Sequence, residues 1–92
     1  MAFVLAQTLD GKKITTIVVE FVNSGTAAAD VRQTAYVKNV QRVIDVLGVV
    51  RLDKNCSNVH VNGIVSPNGI DITAESVAAG STAKVKVSVL AV

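Results

Sequence analysis

Hydrophobic and polar residues alternate most regularly near the C-terminal end of the chain. From residue 83 to residue 91, every second position is Ala or Val, and most of the intervening side chains are polar. Such period-two alternation predicts a half-buried β-strand. Residues 70–75 alternate in the same way, and turn-forming residues at 78–81 separate the two segments. We therefore predict a β-hairpin that pairs Ile70 with Val89, Ile72 with Val87, Ala74 with Val85 and Glu75 with Lys84.

The N-terminal part of the chain predicts a second hairpin. Residues 2–9 and 14–22 flank the polar sequence at 10–13, which suits a turn. The segment 14–22 carries apolar residues on both of its faces and few polar ones. This pattern predicts a strand that is covered on both sides, either by its own domain or by another subunit.

A shorter strand is predicted between these hairpins. Val59 and Val61 alternate with polar residues. The sequences Asn62-Gly63 and Pro67-Asn68-Gly69 are typical of turns, so we predict a turn at each of them.

Residues 30–47 fit two different structures. As an amphipathic helix, the apolar side chains of residues 36–47 would share one side, and Gly48 would end the helix. As strands, the segment would turn at residues 38–39 and continue as a long buried strand over residues 40–52. The hydrophobic period favours the helix, whereas the composition favours strands.

The composition supports a mainly β fold. Val, Ile and Thr account for 32 of the 92 residues, and β-branched side chains suit a pleated sheet better than a helix. A chain of this length has room for one domain. We therefore predict a single domain over residues 1–92 with an antiparallel, β-sandwich-like fold. The alternative is an α+β domain with one amphipathic helix at about residues 30–47 packed on an antiparallel sheet.

The apolar content also predicts self-association. Half of the residues are hydrophobic, and a domain this small cannot bury such a surplus alone. The single cysteine allows no intrachain disulfide. We expect other subunits to cover part of the surface, and we place the predicted interface on the N-terminal hairpin, at Phe3, Leu5, Ile17, Val19 and Phe21.

Charge and segment length argue against three classes of protein. The net charge is +2, and basic residues are interleaved with acidic ones, which does not predict a nucleic-acid-binding face. The apolar runs are far shorter than the ~18–20 residues of a membrane span. The first seven residues lack the basic region of a signal peptide. We expect no nucleic acid or membrane partner, and no secretion through a signal peptide.

The residues that could carry chemistry are few. His60 is the only histidine and Cys56 the only cysteine. Together with Asp53 they could bind a metal, but the repeated Cys or His spacings of structural zinc sites are missing. Asp71 and Glu75 share one face of a predicted strand, but Glu75 already has a predicted cross-strand partner. We predict no catalytic residue, no cofactor and no metal site, so the protein is not expected to be an enzyme.

From about residue 31 onward, the chain resembles a known class of proteins. The run Val37-Lys38-Asn39-Val40-Gln41-Arg42-Val43-Ile44-Asp45-Val46-Leu47-Gly48-Val49, the turn-rich segment 58–69 and a last strand over 85–92 carry the resemblance. It is a resemblance in style to small β-rich virion accessory proteins of tailed bacteriophages, namely capsid decoration or cement proteins and neck or tail adaptors. The resemblance implies a β-sandwich-like subunit that packs on other virion proteins, in many symmetric copies and without catalysis. It assigns no functional residue.

These observations lead to one expected function and one alternative. We expect a structural subunit that packs on copies of itself and on a larger structural protein, such as a major capsid or tail protein. Its expected location is the virion if the protein is viral and the cytoplasm otherwise. The alternative is a small cytosolic protein-binding module that acts as a monomer or dimer.

Overall fold

The computed structural model describes residues 11–92, and these residues form six β-strands and no helix. The predicted antiparallel, β-sandwich-like fold is therefore confirmed, and the alternative with a helix at residues 30–47 is wrong. The strands are β1 (Lys13–Asn23), β2 (Ala29–Tyr36), β3 (Val43–Arg51), β4 (Asn58–Val65), β5 (Gly69–Val77) and β6 (Ser81–Ala91).

The strands form two three-stranded antiparallel sheets that pack face to face. β6 is the central strand of the first sheet, in the order β1-β6-β3, and β5 is the central strand of the second, in the order β2-β5-β4. Burial of each large aliphatic side chain between the sheets contributes ~1.5–3 kcal/mol. The two central strands supply most of the core, with Ile70, Ile72, Ala74 and Val77 from β5, and Ala83, Val85, Val87, Val89 and Ala91 from β6.

β5 and β6 follow one another in the chain but belong to different sheets, so the predicted hairpin between them is wrong. Residues 78–80 carry the chain from one sheet to the other, and Gly80 adopts a positive φ of 66° there. The predicted inward faces are right, because the alternating apolar residues of both strands are buried. The predicted pairing of Glu75 with Lys84 is wrong: Lys84 lies opposite Glu20, and Glu75 lies opposite Asn58.

The predicted strand at Val59 and Val61 belongs to β4, which is longer than expected. β4 continues through Asn62 and Gly63, where its register against β5 shifts at a β-bulge. The predicted turn at Asn62-Gly63 is therefore wrong. Residues 66–68 form the turn that joins β4 to β5, in agreement with the turn predicted from Pro67 onward.

Residues 30–47 form β2, a connection between the two sheets and the first part of β3. The backbone N–H groups of Val37 and Val43 donate to the carbonyl oxygens of Asn68 and Pro67, at 2.9 and 2.8 Å. These long-range hydrogen bonds explain why strands replace the helix that the hydrophobic period favours. The prediction that the strand at 40–52 is buried is also wrong. β3 lies at the edge of the described sheet, and only its Val43 is buried.

β1 confirms the strand predicted at residues 14–22. Among the described strands it pairs with β6 and forms one edge of its sheet. Its predicted hairpin partner, residues 2–9, lies outside the described residues. At the end of β1, the Asn23 side-chain amide donates to the carbonyl oxygens of Ala27 and Val77, at 2.9 and 2.8 Å. This buried amide ties the exit of β1 to the end of β5 in the other sheet.

Candidate interaction surface

The outer face of the β1-β6-β3 sheet carries most of the exposed aliphatic side chains. Because side chains alternate along a strand, the even-numbered residues of β1 point away from the core. The register places Val18 opposite Lys86 on one side and Val50 opposite Lys86 on the other, so two valines flank one lysine. We call this surface the aliphatic face; its exposed aliphatic side chains are Ile14, Val18, Val22, Leu47, Val50 and Leu52.

Two lysines of β6 lie in the middle of the aliphatic face. Lys84 has Glu20 opposite it on β1, whereas Lys86 has only the two valines in its row. Neither lysine forms a salt bridge with any of residues 11–92. The aliphatic face therefore combines exposed aliphatic side chains with a positive charge at its centre.

The structure corrects the interface predicted on β1. Val19 and Phe21 are buried in the core of the subunit, and Ile17 packs against that core. Val19 and Phe21 are therefore not available to a partner, whereas Ile17 is only partly buried. Phe3 and Leu5, the other two predicted interface residues, lie outside the described residues.

The face of β1 that is exposed to solvent carries its even-numbered residues. Sequence reasoning missed it because both faces of residues 14–22 are apolar, so alternation alone does not distinguish inside from outside. Glu20 could have supplied the signal, since a charged residue marks the solvent-exposed set of alternating positions. That set also contains Ile14, Val18 and Val22.

The outer face of the β2-β5-β4 sheet, which we call the polar face, is covered by hydrogen-bonded polar side chains. The Arg32 guanidinium makes a bidentate contact with the Asp71 carboxylate, with Nε 2.9 Å from Oδ1. Asn62 donates to the same carboxylate at 3.2 Å and to Thr73 Oγ1 at 2.8 Å. The hydrogen bond from Arg32, aided by its charge, holds the pKa of Asp71 below its ordinary value.

Asp71 and Glu75 lie on one face, as predicted, but each carboxylate has a different basic partner. Glu75 Oε2 lies 2.9 Å from His60 Nδ1, and it also accepts a longer hydrogen bond from Asn58. Because Asp71 is occupied by Arg32, the two carboxylates form two separate cross-strand contacts. Their arrangement is that of a solvated sheet surface.

The structure does not group Asp53, Cys56 and His60, the three side chains that the sequence analysis considered as metal ligands. Cys56 is buried, and this burial raises the pKa of its thiol. The two carboxylate oxygens of Asp53 accept backbone N–H groups from Asn55 and Lys84, each at 3.0 Å. His60 lies on β4 with Glu75 as its partner. Within residues 11–92, no three His, Cys, Asp or Glu side chains are grouped so that they could hold a metal ion.

A groove of about 560 Å³ lies along the flank of the sandwich between β1 and β2. Sequence reasoning missed it, because it depends on which edge strands of the two sheets lie side by side. Its aliphatic part includes Ile17 and Ala35, which pack on the core but are only partly buried. Within residues 11–92, the groove leaves these partly buried side chains of the core side next to open space.

Comparisons with known protein families, with characterised proteins and with solved structures find no match to this chain. Among residues 11–92, no helix is long and apolar enough to cross a membrane.

Proposed function

We propose that the protein is a non-enzymatic structural subunit that packs on copies of itself and on a larger protein in a symmetric assembly. The observation that supports this proposal is the contrast between the two outer faces. The polar face bonds its charged side chains within the subunit, whereas the aliphatic face exposes six large aliphatic side chains. Clustered exposed apolar surface marks a site of protein–protein contact.

The chemistry of the aliphatic face defines the partner. Val18 and Val50 flank Lys86, and no acidic residue of the subunit lies in that row. A complementary partner presents an aliphatic surface with a carboxylate opposite Lys86, since interfaces match apolar area and charge. We assign this role to the larger protein of the assembly.

The finer proposal is that the assembly is the virion of a tailed bacteriophage, with this chain as a capsid decoration or cement protein, or as a neck or tail component. Two observations support it. One is the resemblance in style carried by residues 37–49, 58–69 and 85–92. The other is the β-sandwich-like fold, which this resemblance implies.

Size fractionation of a lysate of the source tests the proposal. The chain and the polypeptides that migrate with it are quantified by mass spectrometry. We expect the chain in particle-sized fractions, at a fixed ratio to one abundant larger polypeptide. If the chain runs only at the size of one or two copies, the assembly role is wrong and the small binding module takes its place.

A matched pair of variants connects this result to the aliphatic face. Val50→Lys places a charge on the aliphatic face, and Val65→Lys makes the same change on an exposed valine of β4 in the other sheet. We expect Val50→Lys to lower the particle-bound fraction about tenfold or more, the effect of losing ~1.4 kcal/mol of binding free energy. Val65→Lys should leave it unchanged. Equal losses in both variants would contradict the assignment of this face.

A further inference from the structure

Among the four edge strands within residues 11–92, β1 has the most regular strand pairing. It pairs with β6 through eleven consecutive residue pairs without a register shift. The pairings of β2, β3 and β4 each contain at least one irregularity. β-Bulges and short length protect edge strands from pairing with another chain, and β1 has neither protection. No described strand pairs with its second edge.

We propose that β1 pairs antiparallel with β1 of a second copy of this chain, about a two-fold axis that passes through Val18. The two sheets would join into one six-stranded sheet in the order β3-β6-β1-β1-β6-β3. This inference rests on the proposed self-association and names the strand, the register and the symmetry through which it occurs.

The outward side chains of β1 are self-complementary in this register. Val18 lies opposite Val18 of the second copy, and Ile14 lies opposite Val22. Thr16 lies opposite Glu20, so the hydroxyl can donate to the carboxylate. Aliphatic cross-strand pairs stabilise a sheet, and a two-fold axis repeats each contact twice.

Neighbouring registers lose this match. Moving the axis to Ile17 places Ile14 opposite Glu20, and moving it to Val19 places Val18 opposite Glu20. Each shift puts an aliphatic side chain against a carboxylate in two symmetric places. The outward side chains of β1 therefore favour an axis at Val18 over an axis at either neighbouring residue.

The groove between β1 and β2 supports the same occupant. An added strand on β1 presents its inward side chains on the core side of the sheet, next to the partly buried Ile17. In the proposed register, Ile17 lies opposite Val19 of the second copy. The new contact would cover the partly buried part of β1 that lines the groove.

The competing occupant of this edge is residues 2–9 of the same chain, the strand predicted in the N-terminal hairpin. With a two-residue loop at 10–11, Gln7 would lie opposite Ile14. With a four-residue loop at 10–13, Phe3 would lie opposite Glu20. Either pairing sets a polar side chain against an apolar one, as the symmetric β1 pair also does where Thr15 lies opposite Phe21. The cross-linking experiment distinguishes the two occupants.

Cysteine cross-linking of the full-length chain tests the register. Directly opposed residues of antiparallel strands have Cα atoms ~4.5–5.5 Å apart, within the ~4.4–6.8 Å that a disulfide spans. We expect Val18→Cys to form a disulfide-linked dimer under mild oxidation. The matched control is Val50→Cys, whose parent valine has 54% exposure against 57% for Val18 and flanks the same Lys86. It should remain uncross-linked.

Charge variants measured by sedimentation provide the second test. Val18→Lys places two ammonium groups against each other on the axis and should weaken the dimer about tenfold or more, since directly opposed like charges destabilise a strand pair. Val50→Lys should leave the dimer intact. Circular dichroism checks that each variant is folded; if Val18→Lys is not, the cysteine pair alone decides.

The possible failures are distinguishable. If the wild-type chain self-associates but Val18→Cys cross-links no better than Val50→Cys, the β1 pairing is wrong while the proposed function stands. If the wild-type chain is monomeric at every concentration and Val18→Cys stays uncross-linked, the β1 edge is covered by residues 2–9 or by solvent. That result overturns both the pairing and the self-association part of the proposed function, and leaves particle association to be tested by fractionation.

Discussion

The polar face and the aliphatic face are the outer surfaces of two sheets with the same number of strands, yet their side chains differ in what they contact. On the polar face, Arg32 bonds Asp71 and His60 bonds Glu75. On the aliphatic face, Val18 and Val50 point into solvent on either side of Lys86. The comparison shows that the charged side chains of one face bond one another within the subunit, whereas the large aliphatic side chains of the other are exposed to solvent.

The edges of the two sheets differ in a related way. In the sheet that carries the polar face, β4 contains a bulge and the pairing of β2 with β5 contains a register shift, and β3 of the other sheet contains two register shifts. β1 remains regular along its whole length. The sheet with the exposed aliphatic side chains is therefore also the sheet with a regular edge that no described strand covers. We propose a different partner for each: the larger protein for the face, and a second copy for the β1 edge.

The largest predicted effect separates aliphatic side chains that stabilise the subunit from those that serve a partner. Ile72 is fully buried, whereas Ile14 on the aliphatic face is 60% exposed. We expect Ile72→Ala to lower the free energy of unfolding by ~2–5 kcal/mol through lost burial and a cavity. Ile14→Ala should change it by less than ~0.5 kcal/mol. Urea unfolding at low protein concentration measures both values.

Ile14→Ala is the control for Ile72→Ala, because the same atoms are removed from the same residue type. A loss of several kcal/mol in Ile14→Ala would contradict the comparison. It would mean that the aliphatic face is covered within a single subunit, and its assignment to a partner would fail.

How much the sequence could predict is clearest for Ile72 and Val87. Alternation correctly predicted that both side chains are buried, because alternation reports which face of a strand is apolar. It does not report which strand lies alongside. The predicted hairpin is wrong because two strands can bury their apolar faces against each other from opposite sheets as well as side by side in one sheet.

The interaction surface was harder to predict for the same reason. Both faces of residues 14–22 are apolar, so the pattern indicates a strand covered on two sides. It does not show that Val19 and Phe21 are covered by the second sheet of their own subunit and not by a partner. The polar network was equally hidden, since Arg32 and Asp71 are far apart in sequence and meet only because β2 pairs with β5. These features depend on sheet order, which local periodicity does not specify.

A smaller effect tests whether the polar face is bonded within the subunit. The hydrogen bond and charge of Arg32 lower the pKa of Asp71. A depressed pKa in the folded state adds stability above the pKa of the unfolded chain, and this stability is lost as the pH falls through the folded value. We expect the wild type to be more stable than Asp71→Asn at pH 7 and the difference to shrink on acidification.

Urea unfolding of the wild type and Asp71→Asn over a series of pH values measures this difference. Asp45→Asn is a suitable control, because Asp45 lies on β3 in the other sheet and forms no salt bridge with residues 11–92. A difference between the wild type and Asp71→Asn that grows on acidification would contradict the role given to the Arg32 contact.

The smallest expected effect concerns His60, the one histidine and the natural candidate for chemistry. Its contact with Glu75 lies on the exposed polar face, and exposed ion pairs contribute only ~0–1 kcal/mol. We expect His60→Ala to change the free energy of unfolding by less than ~0.5 kcal/mol and to leave the particle-bound fraction unchanged. Glu75→Gln changes the partner of the same contact and should give the same result. One result would reverse the roles of the two faces: His60→Ala folds normally but abolishes particle association, while Val50→Lys preserves it. The polar face would then be the surface that recognises a partner.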